Sequence, residues 1–309
     1  MFIVHYFLNL HHHYITHTMI KKLTKAVAAA LVLLTASCGK TPDSNTIVVS
    51  VEPQQTMLEE IVGDRFDIVT MLTPGANPET FEPGMQARRQ LETAQAYFTT
   101  GHLPFEHRLE DAAGGKVRIV DTSNGITPVY GTHEHSHGEN HEGHHHDEGE
   151  GADPHVWTSV KNARIMARNM YDAAVELQPE SKDFFTARYE ALDHRLDSLD
   201  KAFAARLGAS SNPKSFAIWH PSLSYLARDY SLNQVAVGFE NKEMPASTLR
   251  DVIGKARDAG VKVFFFQKEF DSRQAESLNS EMGTTLITIN PLDHDWEQQL
   301  DSIVSALCR

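Results

Sequence analysis

Five side chains able to hold a metal ion stand just beyond stretches that read as β-strands. Glu79 follows residues 67–72, His155 lies in the connection after 117–121, His220 comes immediately after Phe216-Ala217-Ile218-Trp219, and Asp293 and Asp295 follow 284–289. Imidazole nitrogen and carboxylate oxygen together suit Zn²⁺, and also Mn²⁺ or Fe²⁺. Each of these residues alone could be an ordinary hydrogen-bonded or solvated loop residue. Their common placement carries the expectation, because α/β sheets bind ligands at the carboxyl ends of their strands.

The elements that must position them follow from the pattern of the chain. Short β-branched or aromatic runs at 47–51, 67–72, 96–100 and 117–121 alternate with helical patterns, and a second set follows at 215–219, 234–238, 261–266 and 284–289. Such alternation predicts an α/β fold of two βα lobes with mostly parallel sheets. Between the sets, Phe184, Phe185, Tyr189, Leu192, Leu196, Leu199 and Phe203 recur mostly at spacings of three and four after Pro179. That predicts a long rigid helix joining the lobes. The expected organisation is a leader over 1–37, an N-terminal lobe over 41–178, a linking helix over 179–208 and a C-terminal lobe over 209–309, with the metal site in the cleft between the lobes.

One tract differs in kind. Residues 133–150 contain seven His, five Glu, one Asp and three Gly and no apolar side chain. Such a sequence has nothing to pack and predicts a mobile loop. Its imidazoles, His133, His135, His137, His141, His144, His145 and His146, are candidate low-affinity metal ligands.

The N-terminal region predicts export. From Met19, the basic Lys21, Lys22 and Lys25 precede an apolar run at 26–34 and then Thr35-Ala36-Ser37-Cys38. This reads as a secretory signal peptide, the apolar run being far below the roughly 20 residues of a membrane-spanning helix. Residues 1–18 hold no Lys or Arg, so Met19 is the expected start of translation. Small residues before a cysteine resemble a bacterial lipobox, with Thr35 where Leu is usual, and make Cys38 the expected lipidation site. Cleavage there leaves Cys308 as the only thiol, so no internal disulfide can form.

Composition narrows the function classes. The 309-residue chain is 41% hydrophobic and 22% charged, as in ordinary globular proteins, and carries a net charge of −13, which becomes −16 once the three leader lysines are removed. No basic run follows residue 25, which argues against a nucleic-acid partner. His133-Glu134-His135-Ser136-His137 and His141-Glu142-Gly143-His144-His145 match the zinc-protease pattern H-E-x-x-H. That chemistry needs a rigid helix with both histidines on one face, which a Gly-containing His/Glu tract does not predict. Gly39-Lys40-Thr41 lacks the first glycine of a phosphate-binding loop, since Leu34 occupies its position. No enzyme activity is expected.

Four motifs carry a family resemblance: Pro74-Gly75-Ala76-Asn77-Pro78-Glu79-Thr80-Phe81-Glu82-Pro83, Asp153-Pro154-His155-Val156-Trp157, Trp219-His220-Pro221 with Tyr225, and Lys242-Glu243-Met244-Pro245. With them the chain resembles the cluster A-I metal-binding lipoproteins that serve zinc and manganese ABC importers. The resemblance implies an exported, membrane-anchored solute-binding lipoprotein on the periplasmic side, a monomer that hands its ion to an ABC permease and its ATPase. It places His155 and His220 on two ligating histidines. Glu79 stands where the family usually has His, and Asp295, with Asp293 as alternate, is the candidate for a fourth, acidic ligand near the end. The His-rich loop points to the zinc-type branch and makes Zn²⁺ the expected ion, with Mn²⁺ second. The other readings are a manganese- or iron-binding homologue, and an exported metal buffer or adhesin with no transport role.

Overall fold

Hydrophobic β-branched and aromatic runs build two parallel sheets of four strands each. The computed structural model describes residues 45–130, 151–238, 246–270 and 272–309. The expectations for the leader, Met19 and Cys38, for the tract 133–150 and its histidines, and for Lys242-Glu243-Met244-Pro245 lie outside the described residues.

In the first lobe the order along the chain is β1 (Thr46–Val49), α1 (Glu52–Val62), β2 (Asp67–Thr70), α2 (Met85–Thr93), β3 (Ala96–Thr99), α3 (Pro104–Ala113) and β4 (Arg118–Asp121). The strands pair in the order β2-β1-β3-β4, all parallel. The central strands are buried on both faces, which is why Ile47, Val48, Val49, Tyr97 and Phe98 read as continuous apolar runs rather than alternating ones. Beyond their ends, polar side chains fix the loops. Gln54 accepts from the backbone N–H of Ser50 at 2.9 Å and donates to Thr122 at 2.9 Å. Glu106 accepts from the N–H of Thr100 and Leu103 at the head of α3.

The connector has two helices, α4 (Val160–Leu177) and α5 (Lys182–Ala209). Ser159 caps the first by accepting from the N–H of Asn162 at 3.1 Å. Pro179 ends it: the residue before a proline is driven out of the helical region, and Gln178 takes φ −141° and ψ 75°. The chain turns through Pro179–Ser181 and resumes as the 28-residue α5. That helix buries Phe185, Leu192, Leu196, Phe203 and Leu207, one stripe on one face, against both lobes.

The second lobe runs β5 (Ser215–Ile218), α6 (Ser224–Asp229), β6 (Asn233–Ala236), α7 (Ala246–Asp258), β7 (Val263–Gln267), α8 (Ser272–Met282), β8 (Thr285–Ile289) and α9 (Trp296–Leu307). Its strands pair in the order β6-β5-β7-β8, again all parallel. Both lobes therefore reverse strand order beside their central strand, and at that reversal the loops part to leave a crevice. Among the described residues no helix is long and apolar enough to cross a membrane.

Candidate metal centre

Three of the five sequence-derived candidates converge. Glu79, His155 and His220 each offer a ligand atom, and the three atoms lie within 4.8 Å of one another. His220 Nε2 stands 3.3 Å from Glu79 Oε1, and His155 Nε2 stands 3.9 Å from the same oxygen. Two donors on one tetrahedral zinc, each about 2.0–2.1 Å from the ion, are about 3.3 Å apart, so these spacings suit a shared divalent ion. Both imidazoles are buried, with ring centroids 5.2 Å apart and planes at 70°.

Each side chain is held from behind. Glu79 sits in the loop after β2, where its backbone N–H donates to Asn77 Oδ1 at 2.9 Å. His155 opens a short 3₁₀ turn, Val156–Thr158. Its N–H and its Nδ1 both reach Asp153 Oδ1 at 2.9 Å, which leaves Nε2 to face Glu79 and His220. His220 lies two residues past β5. Its N–H donates to Gln267 Oε1 at 3.2 Å, while Gln267 Nε2 donates to the His220 carbonyl and to Ser222 Oγ. The ring of Phe270 packs on the imidazole at 5.5 Å. Behind it, a Cβ on Gly238 would lie 2.4 Å from the Trp219 carbonyl oxygen, so only glycine lets the end of β6 close on this loop.

Electrostatics follow from this packing. Burial disfavours the charged form of Asp153, but its bonds to His155 outweigh that and hold its carboxyl at about 2, below the ordinary 3.8. Burial alone would lower His155; the hydrogen bond and charge of Asp153, with the charges of Glu79 and Glu269 behind it, raise it instead. A metal must displace that proton, so the site is basic enough to bind and proton-sensitive.

The other two candidates are placed elsewhere. Asp295 is exposed at the head of α9, outside the three-residue group. Asp293 is tied into its own turn, accepting from Asn290 Nδ2 at 2.9 Å and from the N–H of Asp295 at 3.1 Å. The turn is held against the first lobe, where Thr56 Oγ1 donates to the His294 carbonyl at 2.8 Å. Sequence reasoning passed over Asp153 as an orienting carboxylate, Gln267 as the clamp on the His220 loop, and Glu269. Glu269 had the same signal as His220, an ionisable side chain two residues beyond a strand end. Gln267 had none, because a buried glutamine inside a strand is not distinguishable from a packing residue before its partners are known.

Comparisons with known proteins show the family. The family model described as ZnuA, zinc-uptake complex component A, periplasmic, matches residues 47–307. The zinc-binding lipoprotein AdcA of Streptococcus pneumoniae (strain ATCC BAA-255 / R6) is 27% identical over 285 residues, covering 88% of this chain and 56% of AdcA. The chain thus spans about half the length of the curated relatives it matches first. A crystal structure of a ZnuA deletion mutant with zinc bound superposes with TM-score 0.74 at 27% identity, covering 85% of this chain and 96% of that one. In fold alone, the chain is also similar to the solute-binding protein FpvC of Pseudomonas aeruginosa, solved with Mn²⁺ (TM-score 0.71, 22% identity, 85% and 98% covered). With a family model matched from the first strand to the last helix, the chain belongs to the ZnuA family of periplasmic zinc-uptake components.

Proposed function

We propose that this protein captures Zn²⁺ outside the inner membrane and delivers it to the permease of an ABC importer, with Glu79, His155 and His220 as ligands. The observation that carries the reading is the convergence of these three side chains, two of them buried imidazoles, from loops at the carboxyl edges of two different sheets. The ion is cargo, so the chain's task is to bind and release rather than to react. Asp153 orients His155, Gln267 and Phe270 orient His220, and burial of both rings keeps competing water from the ion. Residues 1–37 act as the signal peptide, Cys38 as the lipid anchor, and the protein works as a monomer. The histidines of 133–150 add weak sites beside the tight one, imidazole being an ordinary zinc ligand.

Metal analysis of untagged protein purified without chelators tests the reading. One equivalent of zinc, lost from His155→Ala and His220→Ala, supports it, and deletion of the gene should abolish growth under zinc limitation. Binding of zinc by the double variant as tightly as by wild type would overturn it. One observation favours a second reading: a carboxylate at 79 in place of an imidazole hardens the site toward Mn²⁺ or Fe²⁺. Glu79→His should then widen the preference for Zn²⁺ over Mn²⁺ in competition titrations.

A further inference from the structure

We infer that Glu269 supplies a second carboxylate to the captured ion, completing a set of two imidazoles and two carboxylates; this rests on the metal-capture reading above. Two neighbouring strands point to it. β5 and β7 pair at the strand-order reversal of the second sheet, and His220 and Glu269 each lie two residues past the end of one of them. The two strand ends are also tied together. Gln267, the last residue of β7, grips the N–H and carbonyl of His220, and Phe270, one residue past Glu269, packs on the His220 ring. Glu269 therefore stands on a turn clamped on both sides to a candidate ligand.

Its surroundings agree. Glu269 is only partly exposed. Burial raises its carboxyl, while the charges of His155 and His220 pull the other way, so its carboxylate lies within the field of both imidazoles. It is not within the three-residue group, so binding requires the turn at 268–270 to bring the carboxylate inward. Lys268 anchors the turn to β8 by donating its N–H to the Ile289 carbonyl at 3.1 Å, and the N–H of Phe270 closes it on the Gln267 carbonyl at 3.3 Å, so the inward movement is confined to Glu269 itself.

Charge and coordination number explain why a second carboxylate is needed. A divalent ion beside two neutral imidazoles and Glu79 keeps one uncompensated positive charge in a largely buried crevice, and it has only three protein ligands where zinc in a closed site takes four. Glu269 answers both needs. An N₂O₂ set is harder than a three-histidine one, so the site accepts Mn²⁺ and Co²⁺ more readily than a His-rich site does.

The test uses the full chain, stripped of metal and loaded below one equivalent against a competing chelator, so that only the tightest site fills. Glu269→Gln should weaken Zn²⁺ about 100-fold or more and Mn²⁺ by at least as much, exceeding the roughly 10- to 100-fold loss typical of a residue that only supports a ligand. Its metal-free melting temperature should stay at the wild-type value. X-ray absorption of the zinc-loaded protein should show two nitrogen-type and two oxygen-type ligands in wild type, with one carboxylate fewer in Glu269→Gln. If Glu269→Gln binds with wild-type affinity and an unchanged absorption spectrum while His155→Ala and His220→Ala lose the ion, Glu269 is no ligand and the capture reading stands. If all three variants bind as wild type does, the capture reading itself falls.

Discussion

The two lobes share one strand order but rest on different foundations. The first sheet, α4, α5 and α9 belong to one large core that includes Val156 and Trp157, the residues directly after His155. The second sheet straddles two cores. Phe216, Ile218 and Phe265 face the large one, while Ala217, Trp219, Phe264 and Phe266 face a small cluster covered by α7 and α8 through Ile253, Ala275 and Leu278. The alternation along β5 and β7 is the period of a strand, one face per core. Half of the candidate metal centre is thus embedded in the best-packed part of the molecule. The other half, His220 between Trp219 and the turn bearing Glu269 and Phe270, leans on the smaller cluster. Local opening follows local packing, so the second lobe should yield when the ion enters or leaves.

The largest effect expected is on binding. His155→Ala and His220→Ala should each lower tight-site affinity by about 100-fold or more, beyond the loss from a supporting residue. The two should differ without metal. Removing His155 leaves the buried Asp153 without its imidazole, at a cost of about 1–3 kcal/mol, whereas His220→Ala should leave the urea midpoint nearly unchanged. Equal destabilisation by the two variants would erase the contrast between rigid and yielding halves.

Core substitutions probe the foundations themselves. Phe185→Ala in α5 empties a fully buried site in the large core and should cost about 3–5 kcal/mol, read as a lower midpoint for the whole protein. Leu278→Ala in α8 should cost about 2 kcal/mol, the low end for such changes, because a small cluster can collapse around the gap. Its signature should be faster amide exchange confined to α7 and α8. Exchange that accelerates equally in α4 and α5 would mean the two cores are one cooperative unit.

Much of this was legible in the sequence, and particular residues show why. All eight strands lie where β-branched and aromatic runs stand, within two or three residues; the central ones are buried on both faces and need such residues there, while the edge strands β2, β4, β6 and β8 carry them mostly at half-buried positions. Pro179 marked the break between α4 and α5 for a stereochemical reason that needs no tertiary information. That Glu79, His155 and His220 could converge was legible because α/β sheets bind ligands at the carboxyl ends of their strands. Asp295 was chosen on the same rule, and the structure instead places it exposed at the head of a helix. A rule about strand ends says which edge a residue occupies, not whether the next turn faces the crevice or folds back on itself, as Asn290 and Asp293 make this one do. Asp153 stands only two residues from His155, but that its carboxylate turns back onto the ring depends on the local fold, whereas Gln267 acts on His220 across 47 residues, a pairing visible only once β5 and β7 are side by side.

The pH dependence of the metal-free protein isolates the rigid half. Asp153 has its folded-state carboxyl depressed to about 2, so its contribution to stability is present above about 3.8 and is lost as pH falls toward 2. His155 has its imidazolium raised above 6.5, so its contribution is present below 6.5 and is lost as pH rises through the raised value. Asp153→Asn removes the first contribution and the largest favourable part of the second, leaving only the charges of Glu79 and Glu269 on His155. Urea midpoints of the variant should therefore slope less than wild type between pH 4 and 2, and again above 6.5. Parallel profiles would show that the pair carries no linkage to folding.

The smallest effect expected is at the staple between the lobes. Arg195 on α5 reaches Glu60 of α1 at 2.7 Å and Glu297 of α9 at 2.8 Å, so one guanidinium joins the connector to a helix of each lobe. Its carboxylates raise its affinity for a proton further, but Arg195 is exposed and both carboxylates keep part of their surface in solvent. Exposed ion pairs contribute about 0–1 kcal/mol, because water screens the attraction and long side chains lose freedom on pairing. Arg195→Ala should then lower stability by less than about 1 kcal/mol at low salt. The difference from wild type should vanish near 1 M NaCl, where the Debye length is about 3 Å. The same variant should leave zinc affinity unchanged if the lobes are held by their shared core and by Trp157 donating to the Pro291 carbonyl at 3.0 Å. A clear loss of affinity in Arg195→Ala would mean instead that this surface network sets the width of the cleft, and the yielding of the second lobe would then be a hinge motion rather than a local one.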